Sequence, residues 1–243
     1  MSRVLALVYG IVIYALFFVS FLYAIGFVDD LVVPKTIDSG VQGGLAAAVV
    51  IDLLVLGVFA IQHSVMARPA FKRAWTRLVP KPVERSTYVL FATAALILIM
   101  WAWRPIPTVV WSAGQGSMAT ALTVLSLLGW GMVLISTFLI NHFELFGLRQ
   151  VWAYVSGSEI PTPTFREPVF YKIVRHPIYL GFIIAFWAAP TMTVGHMIFA
   201  VATTLYILIG IWFEERDLVG YFGDSYVEYR RRVTMLIPFA PKG

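Results

Sequence analysis

Five long apolar stretches, separated by short polar ones, set the rhythm of the chain. They run from Val4 to Val28, Val41 to Gln62, Thr87 to Trp103, Ala119 to Ile140 and Ile178 to Phe213. A helix needs about 20 apolar residues to cross a bilayer, and the first four stretches each suit one crossing. The last is too long for one helix and short for two. It is interrupted by Pro190 to Gly195, a turn-like patch, so it is read as a helical hairpin. The pattern predicts an all-α integral membrane protein of six transmembrane helices, or five if the hairpin penetrates only partly. The first stretch is read as a membrane span, because it is long and no small-residue cleavage site follows it.

Composition agrees with the pattern. The chain is 60% hydrophobic and 13% charged, about half the charge fraction of a soluble domain. There is no cysteine, which removes disulfides, thiolate metal sites and cysteine nucleophiles together. Charge placement then orients the helices. Arg68, Lys72, Arg73, Arg77, Lys81 and Arg85 follow the second stretch against a single acid, Glu84. With six helices, all but Lys35 and Arg104 of the 18 lysines and arginines fall on one side. By the positive-inside rule both termini should be cytoplasmic, which in a bacterium means an inner-membrane protein. We expect a single membrane domain over 1–243. Residues 1–140 form its four-helix part. Residues 141–243 form a cofactor-binding region, with the hairpin at 177–213 and a cytoplasmic tail at 214–243.

Unusual polar residues gather on the cytoplasmic side of this topology: Gln62 and His63, Asn141, His142 and Glu144, Arg175 and His176, then Glu214 to Asp217. Facing lipid they would cost several kcal/mol, so a shared protein-lined cavity is the cheaper arrangement. Pro177 suits the first turn of a helix and biases His176 toward extended backbone. Arg175 and His176 therefore stand at a helix entrance, where free N–H groups and the dipole favour an anion. Glu214 and Glu215 present the reverse case, two acids at what hydropathy marks as a helix C-terminus. A ligand with a carboxylate at one end and a positive centre elsewhere answers both halves, and S-adenosylmethionine is such a ligand. Tyr221, Phe222, Tyr226 and Tyr229 in the tail are candidates to stack on its adenine.

The conjunction RHPIYLG at 175–181 with FEERDLVGYFGDSYVEYRRRVTMLIPF at 213–239 resembles the membrane superfamily of isoprenylcysteine carboxyl methyltransferases and phospholipid methyltransferases. The resemblance implies that Arg175, His176, Tyr179, Glu214 and Glu215 line an S-adenosylmethionine site. Where many relatives carry Gly-Pro-Tyr, this chain has Val169-Phe170-Tyr171, keeping only Tyr171. The segment NHFELFGLRQVW at 141–152 is similar to the bacterial methanethiol S-methyltransferases, which implies a small thiol acceptor and dimethyl sulfide as product. On that footing His142, Glu144 or His176 is the candidate base, and a cationic Arg175 is the alternative means of stabilising the thiolate. Phe143, Leu145, Phe146 and Trp152 are candidate walls of a small apolar cavity. Asp52, midway along the second helix, is either a hydrogen-bonded structural acid or part of the cavity floor.

Other classes fit less well. Membrane sterol reductases share the hairpin and tail and use NADPH, but the acid expected after Tyr-x-Gly is Phe182 here, although Arg230, Arg231 and Arg232 are compatible with a 2′-phosphate. No Gly-x-Gly-x-x-Gly site occurs, and four scattered histidines are too few for a di-iron oxidase. A transporter would show repeated halves. A lipid or prenyl-cysteine acceptor is the nearest rival within the enzyme class. Nothing points to nucleic acid, a metal or an obligate protein partner.

Overall fold

The structure is a computed structural model that describes residues 1–160 and 165–238. The described chain is helical, with one two-stranded sheet. Five of its helices are long and apolar enough to cross a membrane, and a sixth apolar helix is short. The expected count of five to six is borne out. The chain divides into two compact units that interleave in sequence: Met1–Thr108 with His142–Pro161, and Val109–Asn141 with Thr162–Gly243. The expected parts, 1–140 and 141–243, instead follow sequence order.

The first unit holds α1 (Arg3–Val28), α2 (Leu45–Ala67), α3 (Pro69–Trp75) and α4 (Lys81–Ala102). The Ser2 hydroxyl caps α1 by accepting from the Leu5 N–H at 3.2 Å. Helices α1 and α2 both pack on α4, around a core of Ile13, Met66, Tyr88 and Val89. Asp52, on α2, is fully buried, and its Oδ1 accepts the backbone N–H of Arg104 at 2.8 Å. That carboxylate anchors the chain just as it leaves α4, which is the structural role among the two expected for it.

In the second unit, β1 (Val109–Ser112) leads into α5 (Ser117–Ile140). Returning to the first unit, the chain forms α6 (His142–Leu145) and α7 (Leu148–Ser156), the latter against α1 and α4. The second unit resumes with a 3₁₀ turn (Val169–Lys172), α8 (Pro177–Trp187), β2 (Thr191–Thr193), α9 (Val194–Phe222) and α10 (Asp224–Arg232). Strands β1 and β2 pair antiparallel, with Trp111 opposite Met192.

Helix α8 packs along α5 through glycines. A Cβ on Gly129 would fall 2.7 Å from the Gly181 carbonyl oxygen, and a Cβ on Gly181 equally close to that of Gly129. The Ser126 hydroxyl donates across the same contact to the Ala185 carbonyl at 2.9 Å. With 11 residues, α8 rises about 16 Å, roughly half the hydrocarbon thickness. Pro190 explains the early end, since the residue before a proline disfavours helical angles.

The other arm of the hairpin corrects a sequence expectation. Helix α9 does not stop near Phe213 but runs 29 residues to Phe222. Glu214 and Glu215 therefore lie about two turns inside the helix, beyond the last turn where the dipole acts.

Candidate functional site

Glu215 is the hub of the second unit. Its side chain is only 10% exposed. One carboxylate oxygen accepts from Arg175 Nε at 2.7 Å and lies 3.1 Å from His176 Nε2. The other is 3.2 Å from Arg230 Nε. Three elements meet there: the entrance to α8, the body of α9 and the end of α10.

Local sequence explains how they meet. Pro177 opens α8 with His176 as a non-helical cap (φ −125°, ψ 65°), outside the helical region that a following proline disfavours. Just before this cap Val174 bridges Thr234 in parallel, and the N–H groups of Arg175 and His176 donate to the carbonyls of Thr234 at 2.8 Å and Met235 at 3.2 Å. After α10 the chain thus returns as a strap along the entrance to α8. Arg175 secures the strap from its side chain as well, donating through Nη1 to the carbonyls of Val233 (2.6 Å) and Arg230 (3.1 Å).

This geometry changes the role expected of Arg175. The guanidinium is no open fork awaiting an anion: its Nε and Nη1 and its backbone N–H all bind within the protein. The anionic and cationic halves inferred from sequence close on each other through Arg175 and Glu215. Arg230, which sequence considered only as a possible phosphate ligand, completes the hub. The one sequence signal for it is the basic run 230–232, which does not say which arginine turns inward.

Three polar groups beside the hub have no hydrogen-bond partner among the described residues: Glu214 Oε2 and the hydroxyls of Tyr171 and Tyr226. Glu214 Oε2 lies 3.8 Å from His176 Nδ1. Burial, then the Glu214 charge, pushes the Tyr171 phenol well above its usual range, and burial with Glu215 and Glu214 does the same to Tyr226. Both therefore stay neutral hydroxyls. Tyr229 donates its hydroxyl to the Tyr171 carbonyl at 2.6 Å. The Tyr226 and Tyr229 rings pack edge-on against Phe165 at 5.9 and 5.2 Å, and Phe222 joins them at 5.4 Å. Tyr221 is exposed and outside this cluster. Tyr179, one turn into α8, sets its ring 5.6 Å from that of His176. Tyr171, Arg175, His176, Tyr179, Glu214, Glu215 and Tyr226 thus share one unit. The motif's last residue, Phe239, and the rest of the tail to 243 lie outside the described residues.

His142 and Glu144 belong to the first unit. His142 is buried, with Nε2 2.9 Å from the Tyr14 hydroxyl and its ring 4.8 Å from that of Phe146. Desolvation lowers its pKa, so the imidazole is neutral at physiological pH. Tyr14 has no sequence signature, being one aromatic among many on an apolar helix. Glu144 is paired with Arg149 at 2.7 Å. Of the expected cavity walls, Phe143 and Trp152 are largely exposed, whereas Phe146 packs inward on Phe17 at 4.1 Å. Leu145 is half-buried.

The chain is similar to known proteins along nearly its whole length. The family described as NnrU protein matches residues 52–234. A protein of Bradyrhizobium diazoefficiens, methanethiol S-methyltransferase 1, is 57% identical over 237 residues, covering 98% of this chain and 83% of its own length. A methanethiol S-methyltransferase of Mycobacterium tuberculosis is 54% identical over 239 residues, 98% of either chain. More distantly, rat nurim is 30% identical over 183 residues, 72% of this chain and 69% of its own. No solved structure matches the chain.

Proposed function

The chain belongs to the NnrU protein family, and from that premise we propose that it is a membrane thiol S-methyltransferase converting methanethiol to dimethyl sulfide with S-adenosylmethionine as methyl donor. Identity of about half or more to proteins named for that reaction supports the acceptor. The observation that carries the donor site is the set of unpartnered polar groups around the Glu215 hub. Buried polar atoms are normally hydrogen-bonded, and exceptions ask for a reason. A free carboxylate oxygen on Glu214 beside two neutral phenols fits a ligand that brings a cationic group and hydrogen-bonding oxygens.

In this reading Glu214 binds the donor's ammonium group, and Tyr171 and Tyr226 orient it by hydrogen bonds. Arg175, His176 and Arg230 hold Glu215 and the strap in place. The donor supplies an electrophilic methyl on a sulfonium. In the first unit Glu144 is engaged by Arg149, whereas His142 keeps a neutral imidazole whose ring Tyr14 holds. With the donor held there, in-line attack of a thiolate sulfur on that methyl would break the sulfonium's carbon–sulfur bond and cancel both charges. A water-poor setting favours that neutralisation. Both termini lie on the cytoplasmic side of a bacterial inner membrane, the side marked by the basic residues.

The test uses detergent-purified protein and methyl-labelled S-adenosylmethionine, offered with methanethiol, a farnesylated cysteine or phosphatidylethanolamine. Label in volatile dimethyl sulfide is the expected result. Label in a lipid product would overturn the acceptor, and absence of donor binding would overturn the cofactor.

A further inference from the structure

The stretch from the end of α2 through the first turn of α4, residues 68–85, concentrates charge that the proposed reaction does not use. Its six basic residues face one acid, Glu84. Two of them are drawn inward. Arg85 donates from Nε to the Leu145 carbonyl at 2.8 Å, and its guanidinium lies 4.9 Å from the centre of the Tyr88 ring. Lys72, on α3, is half-buried. Burial and the nearby Arg85 charge depress its pKa, against a weaker opposing pull from Glu84.

One turn along α3 from Lys72, on the same face, stands Trp75. Its ring stacks on Phe71 at 5.7 Å, meets Phe91 edge-on at 6.2 Å, and packs on the core cluster that contains Tyr88. Its indole N–H is buried and has no acceptor among the described residues. A buried donor left without an acceptor is destabilising. Two cations that repel each other and a stranded N–H have one remedy in common, an anionic oxygen cluster.

We propose that Lys72, Trp75 and Arg85 bind the phosphate of an anionic phospholipid headgroup. Helix α3 directly connects the ends of two membrane-spanning helices, so it sits at headgroup depth, where aromatic and basic residues anchor proteins to the interface. A net-anionic lipid such as phosphatidylglycerol is selected over phosphatidylcholine, whose choline would add a third cation beside Lys72 and Arg85.

Native mass spectrometry of the full chain in detergent, titrated with phosphatidylglycerol or phosphatidylcholine, tests this. Phosphatidylglycerol should bind about tenfold tighter. Lys72→Gln should weaken it about fivefold, near the contribution of one basic residue at a membrane surface. Trp75→Phe keeps an aromatic ring beside Phe71 and Phe91 but removes the N–H together with part of the indole, and should weaken binding about threefold. Arg77→Gln, at an exposed position, should change it less than about twofold. Equal affinity for the two lipids would overturn the proposal, as would an Arg77→Gln effect as large as that of Lys72→Gln, which would mean diffuse attraction. Displacement by millimolar inorganic phosphate would overturn the lipid assignment in favour of a free-anion site. Should Lys72→Gln fail to fold, Trp75→Phe alone decides: unchanged affinity refutes the site.

Discussion

Replacing Glu215 by alanine removes the acceptor shared by Arg175, His176 and Arg230. The Arg175 side chain is 9% exposed and that of Glu215 10%, so the variant leaves a buried guanidinium without its counter-charge. Breaking a buried pair from one side costs about 3–5 kcal/mol. Arg175 still reaches two carbonyls, of Val233 and Arg230, which places the expected loss near the lower end, about 3 kcal/mol. In a chain of this size that corresponds to a fall of about 6–12 °C in unfolding temperature. Intrinsic fluorescence of the detergent-purified protein during heating measures it. The combined replacement Arg175→Met with Glu215→Leu removes both charges and restores apolar volume, so most of the loss should return. A Glu215→Ala variant unfolding within about 2 °C of the parent would refute the hub. So would additive losses in the double variant, because groups in one ion pair are coupled.

Further outcomes follow from other parts of the molecule. Gly181→Ala drives a methyl group against the Gly129 carbonyl and should destabilise by at least about 1–3 kcal/mol, whereas Gly131→Ala, with nothing within 4 Å of its added carbon, should be neutral in the same thermal assay. Asp52→Asn keeps an acceptor for the Arg104 N–H and should cost little, while Asp52→Leu should cost about 1–3 kcal/mol in unfolding experiments. His142 titrates below its ordinary value in the folded protein, so unfolding takes up a proton between its folded pKa and about 6.5. Its contribution is fully present above about pH 6.5 and is lost as pH falls toward the folded value, and His142→Gln should flatten that part of the stability profile. Glu214→Gln, which breaks no hydrogen bond to Oε2 among the described residues, should weaken S-adenosylmethionine binding about tenfold in equilibrium dialysis, with little effect on unfolding.

The helices were legible because apolar runs of sufficient length have few alternatives, and Pro177 and Pro190 marked both ends of α8. Where α9 ends was not legible. Hydropathy stops at Phe213, but Glu214, Glu215, Arg216 and Leu218 are good helix formers, and the helix continues until Gly223, whose φ of 58° suits glycine. The site residues were legible as types, not as partners. Arg175 and Glu215 lie 40 residues apart, and each alone looks like a ligand-binding group. Only the strap beside Val174 to His176 shows that they bind each other. Glu214, adjacent to Glu215 and similar in sequence logic, is the carboxylate left open.

Contact between the main chains of α5 and α8 at Gly129 and Gly181 also bears on the route by which reactants travel. Backbones that touch leave no crevice for an acyl or isoprenyl tail, so this seam is sealed against long hydrocarbon. A prenylated or lipid reactant would need a doorway elsewhere, whereas a volatile thiol of one carbon needs none of that width. The seam is thus a closed wall laid down by two missing side chains, and larger residues placed there would part the helices.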